Sequence, residues 1–158
     1  MEMESHVSHV LHRPYLRLFI MMVISFKLMY LFMYAMVDVW GNVFPNYNQF
    51  YMAGLMVFPM AILEVVLMRS MYGNKKWNTF IVVVSLIFIT LFWTGVRQQV
   101  AINDEQFLRS MIPHHASAIL MCKNASIEDL EIKELCENII SGQQAEIDFM
   151  KTKLNLIK

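Results

Sequence analysis

Residues 15–39 read YLRLFIMMVISFKLMYLFMYAMVDV, a stretch that is apolar almost throughout. A helix requires roughly 20 apolar residues to cross a bilayer core of about 30 Å. Residues 15–39 meet that requirement, and so do two later stretches, at about 50–68 and 77–96. The sequence therefore predicts three transmembrane helices over residues 15–97, with the lipid bilayer as their surroundings.

Composition divides the chain into two modules. Of 158 residues, 57% are hydrophobic and only 16% are charged, whereas a soluble domain carries about 25% charged residues. The charged residues concentrate after Asp104, so a soluble module of residues 104–154 is expected to follow the membrane module. The formal net charge is zero, which gives no indication of nucleic acid as a partner.

Lysine and arginine predict the orientation. They flank the start of the first helix and fill the second connector, whereas the first connector, residues 38–50, has none: Arg13, Arg17, Arg69, Lys75 and Lys76. Because basic residues stay in the cytoplasm, we expect a cytoplasmic N-terminal tail, residues 1–14. The protein would then lie in a bacterial cytoplasmic (inner) membrane, with its C-terminal module in the periplasm or outside the cell.

Lys27 and Glu64 lie within the apolar spans, where an ionisable residue is a functional candidate by default. Glu64 is about one turn from Arg69 and is expected to reach the cytoplasmic interface, whereas Lys27 lies nearer mid-bilayer. One hypothesis is therefore a membrane enzyme or an accessory subunit of a transporter. Methionines also recur at helical spacing in two of the spans, at positions 29, 33 and 36 and at positions 52, 56 and 60. They indicate either a path for a soft metal ion or, more simply, adaptable apolar packing.

The soluble module is predicted to be a pair of helices. Asn103 before Asp104-Glu105-Gln106 is typical of an N-cap, for a helix that runs to about Asn124. Residues 126–129, Ser-Ile-Glu-Asp, form a second capping pattern, for a helix that runs to about Leu154. Two helices with a short connector form an antiparallel hairpin. The fold class is therefore all-α.

Polar residues stand at the centres of both apolar stripes of this hairpin. At 100° per residue, His115 lies near the centre of the first stripe, with His114 and Met121 at its edge. Gln143 lies at the centre of the second stripe, and Glu146 lies on its shoulder. Burying such a group unpaired costs about 1–3 kcal/mol. The sequence therefore indicates a hydrogen-bonded core or a binding site.

Metal binding is the preferred interpretation of these residues. Imidazole with thioether or thiol suits copper, and the first helix holds several such groups in a short stretch: Met111, His114, His115, Met121 and Cys122. The alternative is a metal-free interaction module in which His115 and Gln143 set the helix register. No nucleophile with its base and no Glu-x-x-His di-iron pattern is present, so an enzyme is the less favoured class.

Three more histidines, His6, His9 and His12, lie in the N-terminal tail at i, i+3 and i+6. On a helix they would form one ragged face able to share a metal. Short His-rich tails are also common as solvated polar segments. Metal binding in the tail is therefore the less favoured interpretation.

A connector placed near Ala125 predicts how the two helices face each other. Cys122 and Cys136 are then offset by about 12 Å along the axis, too far for an intrachain disulfide. In that register Gln143 lies opposite Phe107, about 10 Å from the histidines, and His115 lies opposite Cys136. Because about fifty residues make a marginal core, we expect a homo-oligomer whose hairpins complete a four-helix bundle and share the site.

Two segments of the soluble module resemble the family catalogued as domain of unknown function 305: FLRSMIPHHASAILM, residues 107–121, and IISGQQAEIDFM, residues 139–150. The resemblance implies a ferritin-like helical fold, here as a half-bundle, and some members are periplasmic copper-binding proteins. Copper, as Cu(I) or Cu(II), is thus the expected ion, in binding, buffering or resistance. The resemblance implies these functional positions: Met111, His114, His115, Met121, Gln143, Glu146 and Met150.

Overall fold

The computed structural model describes residues 2–157, with side chains described from Pro14 onward, and this part of the chain contains helices and no strands. The five α-helices are α1 Glu2–Phe32, α2 Tyr47–Leu67, α3 Lys75–Gln98, α4 Asp104–Asn124 and α5 Leu130–Leu156. The predicted all-α class is confirmed. The side chains of His6, His9 and His12 lie outside the described residues, so the hypothesis of a metal-binding tail stays a prediction.

Three stretches of the described chain are long and apolar enough to cross a membrane: Pro14–Met36, Tyr47–Leu67 and Lys75–Gln98. They correspond to the three predicted spans. The first span continues past the end of α1 as a short 3-10 helix, Met33–Met36, and a second 3-10 helix, Trp40–Asn42, follows in the first connector. The first predicted helix, to about Val39, is therefore too long, because the α-helical hydrogen bonding ends at Phe32.

Aromatic contacts hold the membrane helices together in one compact unit, made of the chain up to Tyr30 and of Phe50–Val100. Phe26 of α1 meets Phe50 of α2 edge to face, with ring centroids 5.1 Å apart. Phe58 of α2 stacks on Phe88 of α3 at 4.7 Å. Such pairs add to the van der Waals packing that replaces the hydrophobic effect between helices in lipid.

Glu64 has a partner in this unit. The Tyr72 hydroxyl, from the connector after α2, donates a hydrogen bond of 3.2 Å to Oε1 of Glu64. Tyr72 is buried, and this burial, reinforced by Glu64, raises the pKa of the tyrosine to about 12. Glu64 therefore contacts the second connector, and the expectation that it reaches the cytoplasmic interface stays a prediction.

Helices α4 and α5 pack as an antiparallel pair in a second compact unit, made of Leu31–Gln49 and the chain from Ala101 onward. Their buried core consists of Ile112, Ala116, Ile119, Ile147, Met150 and Leu154. Val37 and Phe44 of the first connector pack against the same core. The connector between the first two spans is therefore part of the unit that contains the helix pair.

Hydrogen bonds attach this connector to the first turns of α4. The backbone N–H of Tyr47 donates to Oε1 of Gln106 at 3.1 Å. The buried Asn46 amide donates to the carbonyl of Phe44 at 3.0 Å and lies 3.5 Å from the carbonyl of Arg109. These contacts join segments that are about sixty residues apart in the sequence, so local patterns do not reveal them.

The caps explain where α4 and α5 begin. Asn103 accepts a hydrogen bond of 2.9 Å from the N–H of Gln106, as predicted. For α5 the prediction was wrong, because the N-cap is Asp129 and not Ser126. The Asp129 carboxylate accepts from the N–H groups of Glu131 and Ile132 at 2.9 and 3.0 Å. The connector therefore occupies residues 125–129, with extended backbone at both ends.

Cys122 and Cys136 form an intrachain disulfide, with Cα atoms 5.2 Å apart, so the prediction against such a bridge was wrong. The error lies in the assumed connector. Cys122 is two residues from the end of α4 and Cys136 is six residues after the start of α5. Measured from the helix ends, the two cysteines are offset along the helix axis by about 6 Å rather than 12 Å. The extended connector compensates for this offset.

The buried face of α4 also differs from the predicted stripe. Ile112, Ala116 and Ile119 are fully buried, whereas Phe107, which the 100° spacing places on the predicted stripe, and Met121, at the edge of that stripe, are 51% and 52% exposed. Helix α4 is contacted by the first connector as well as by α5. Because α4 is covered from two directions, its buried face is rotated away from the side that its own periodicity suggested.

Candidate metal centre

His115 of α4 and Glu146 of α5 form the centre of the candidate site. The imidazole Nδ1 lies 2.9 Å from Oε2 of the carboxylate. The His115 side chain is 13% exposed, and that of Glu146 is 58% exposed. The expectation that His115 lies opposite Cys136 was therefore wrong, because the five-residue connector and the later start of α5 shift the register.

The His115 imidazole is incompletely satisfied in this position. Its Nδ1 atom is buried and has no aligned hydrogen bond, although the Glu146 oxygen is at hydrogen-bond distance. Burial lowers the pKa of His115 below its ordinary value of 6.5; Glu146 opposes this and His114 adds to it. The lowered pKa favours the neutral form of the ring, so the contact is weaker than a full ion pair. Neutral imidazole is the form that binds metal.

His114 lies beside this pair on the open side of α4. Its ring centroid is 5.9 Å from that of His115, and its side chain is exposed. Phe107 and Met121, seven residues to either side of His114, are exposed as well. The three residues share one face of α4, because seven residues are close to two helical turns.

The antiparallel register brings most of the other predicted residues to the same part of the helix pair. Gln143 is half-buried and one turn from Glu146, so it lies near the level of His115. Met150 is buried in the shared core, and Met111 packs against that core. The prediction that one hairpin separates the two motifs was therefore wrong, and with it the register argument for a site shared between chains.

Met121 is the predicted residue that the structure does not bring to the centre. It lies six residues after His115, or about 9 Å along the helix axis, and it is 52% exposed. Its neighbours along the helix lead toward the disulfide at Cys122 and not toward Glu146. A role for Met121 at the same ion is therefore not supported by its position.

Among the residues that the structure describes, no group of three or more His, Cys, Asp and Glu side chains is arranged to hold a metal ion. An ion at His115 and Glu146 would therefore need a methionine sulfur, the Gln143 amide oxygen or the exposed His114 to complete its ligands. Thioether ligands favour Cu(I) over harder cations. The described residues do not form a closed structural zinc site, which needs four protein ligands.

Sequence reasoning missed the residues that support this centre from the first connector. Nothing in the local sequence pattern of Asn46 and Tyr47 predicts that they contact α4 at Arg109 and Gln106, about two turns before His115. The absence of Lys and Arg from residues 38–50 was the available signal, because it predicts that the connector and the soluble module lie on the same side of the membrane.

Comparison with known proteins identifies the family. Residues 95–154 match the family described as Domain of unknown function (DUF305). The chain is also 38% identical over 118 residues to Uncharacterized protein L153 of Acanthamoeba polyphaga mimivirus, an alignment that covers 73% of this chain and 75% of the relative. The chain belongs to the DUF305 family. An alignment that covers 73% of this chain cannot fit within residues 95–158, so it also includes part of the membrane module. No solved structure matches this family member significantly.

Proposed function

We propose that this DUF305 protein is a membrane-anchored copper-binding protein, in which the α4–α5 pair captures or buffers the ion. The observation that carries the proposal is the buried Nδ1 of His115, which lacks an aligned hydrogen bond and lies beside the Glu146 carboxylate. A buried polar atom without a partner is costly, and a bound cation would satisfy it. Met111, His114, Gln143 and Met150 each lie within about one turn of His115 or Glu146 on their own helix, and they supply the further ligands or orient them.

The proposed location is the non-cytosolic face of the membrane, with the N-terminus in the cytosol. The first connector, which has no Lys or Arg, belongs to the same compact unit as the helix pair. The Cys122–Cys136 disulfide supports the same side, because disulfides persist in oxidising compartments. In a bacterium this is the periplasmic side of the inner membrane, and in another cell it is a lumenal or extracellular side.

A homo-oligomer is part of the proposal. Apolar side chains are exposed on both helices of the pair, at Phe107, Met121, Leu135 and Phe149. An exposed apolar surface of this kind marks an association site, and a second helix pair would cover it in a four-helix bundle of the ferritin-like kind. Each helix pair would retain its own His115–Glu146 centre, so oligomerisation is not required to assemble the ligands.

Copper titration of the full chain in detergent tests the function. Wild type should bind one ion per chain, and replacement of both His114 and His115 by Ala should weaken binding at least tenfold, about 1.4 kcal/mol. Circular dichroism must show unchanged helix content. Light scattering on the same samples gives the oligomeric state with and without copper. Unchanged affinity in the double variant would show that the two histidines are structural.

The second candidate is the metal-free interaction module. It is favoured by the absence, in the described chain, of any cluster of three or more His, Cys, Asp or Glu side chains. In that case His115 and Glu146 specify the helix register as a polar pair between α4 and α5. The copper titration separates the two functions, because an interaction module would bind no copper in wild type. The double histidine variant would then change the stability or the association of the protein instead.

A further inference from the structure

A groove between the three membrane helices is unrelated to the candidate metal centre. Its volume is about 460 Å³, within the range of roughly 300–1,000 Å³ that is usual for small-molecule sites. Residues of α1, α2 and α3 line it, including Phe26, Lys27, Val57, Phe58, Ser85 and Phe88. All of them belong to the compact unit of the membrane helices.

The groove has a packed floor and an open side. Val57 and Ser85 are each only 2% exposed and form the floor, and the stacked rings of Phe58 and Phe88 form one wall. Phe19 and Phe80, at 64% and 57% exposure, lie at the rim. A molecule dissolved in the membrane therefore has direct access to the groove.

Lys27 is the one charged residue that lines this groove. It is two residues from the midpoint of the span Pro14–Met36, or about 3 Å along the helix axis. Within the described chain it makes no hydrogen bond and no ion pair, whereas Glu64 is bonded to Tyr72 near the end of its own span. An unpaired ammonium near the middle of a bilayer is costly, so a negatively charged partner would stabilise it.

We propose that the groove binds a long-chain fatty acid, with its carboxylate paired to Lys27 and its hydrocarbon chain against the phenylalanine-lined walls. The charge of Lys27 selects an anion, and the other lining side chains select hydrocarbon. A phospholipid does not fit these requirements, because its phosphodiester stays ionised in the headgroup layer. A carboxylic acid can enter the hydrocarbon region as the neutral acid and transfer its proton to the amine of Lys27, so that the carboxylate–ammonium pair forms without an isolated charge at that depth.

Equilibrium binding of radiolabelled palmitate and of its methyl ester to the full chain in detergent tests the proposal. Wild type should bind the acid at least tenfold more tightly than the ester, because only the acid pairs with Lys27. Lys27→Met should abolish that preference and Lys27→Arg should retain it. Lys76→Met, which removes a lysine from the first turn of α3, outside the lining of the groove, serves as the matched control and should behave like wild type.

Several results would overturn the proposal. Equal binding of acid and ester to wild type would do so without any variant, and thus independently of whether Lys27→Met folds. Loss of the preference in Lys76→Met would assign the carboxylate to the membrane surface. Displacement of palmitate by an equal concentration of dioleoyl phosphatidylglycerol, an anionic phosphodiester lipid, would assign the groove to a phospholipid.

Discussion

His114 and His115 are neighbours in the sequence, but they occupy different environments. His115 is mostly buried against α5, 2.9 Å from Glu146, whereas His114 is exposed on the outer face of α4. One residue on a helix corresponds to a rotation of 100°, and this rotation separates a core position from a surface position. The two imidazoles are therefore not equivalent as ligands.

The residue-scale prediction is that His115→Ala weakens copper binding more than His114→Ala. We expect copper affinity to fall at least tenfold in His115→Ala and less than threefold in His114→Ala. Only His115→Ala removes the buried Nδ1 that lies beside Glu146 and would bind the ion. Competition titration against a copper chelator measures both. Equal losses would mean that the ion lies on the exposed side of α4, away from Glu146.

At the scale of elements, two constraints set the register of α4 and α5. The Cys122–Cys136 disulfide closes a loop with a sequence separation of 14 at one end of the pair. The apolar core of Ile112, Ile119 and Ile147 sets the register along the rest of the helix pair. The candidate centre lies between these constraints, so its geometry depends on both.

The element-scale prediction concerns this disulfide. Cys122→Ser should lower the free energy of unfolding of the helix pair by about 3 kcal/mol, the chain-entropy value for a loop of this length. Urea denaturation followed by circular dichroism measures the change in the full chain. Cys136→Ser and the double variant should show the same loss, because each removes the same bond. Rapid maleimide labelling of both cysteines in the unreduced native protein would contradict the disulfide itself.

At the scale of the whole molecule, the compact units do not follow the order of the chain. The first connector, which lies between two membrane spans, joins the C-terminal helix pair in one unit. Segments that pack together must lie on the same side of a bilayer. This grouping agrees with an odd number of membrane crossings between the first connector's side and the N-terminus, and the orientation that the basic residues predict stays a prediction.

The whole-molecule prediction is therefore a pattern of three reporter fusions. A reporter that is active only outside the cytosol should work when it is fused after Lys158 and when it is fused at Gly41, and it should fail at Gly73. The fusion at Gly41 is the informative control, because it tests the side of the first connector independently of the third span. Activity at Gly73 alone would place the helix pair in the cytosol.

The sequence by itself determined the number of helices, the three membrane-crossing stretches and the extent of α4. Each depends on residues that are close together in the chain: about twenty apolar residues for a span, or Asn103 and Gln106 for a cap. The motif around His114 and His115 was also sufficient to predict the family. These features are local, so they are visible without a tertiary structure.

Only the tertiary structure decided which of the candidate residues meet. The register of α4 and α5 depends on where α5 begins, and moving the cap from Ser126 to Asp129 shifts the helix by about 4.5 Å. That shift, with the extended connector, places His115 against Glu146 and allows Cys122 to reach Cys136. The buried face of α4 was decided by the first connector, about sixty residues earlier. A contact between residues so far apart in the chain cannot be predicted from the hydrophobic periodicity of either segment, because that periodicity depends only on residues a few positions apart.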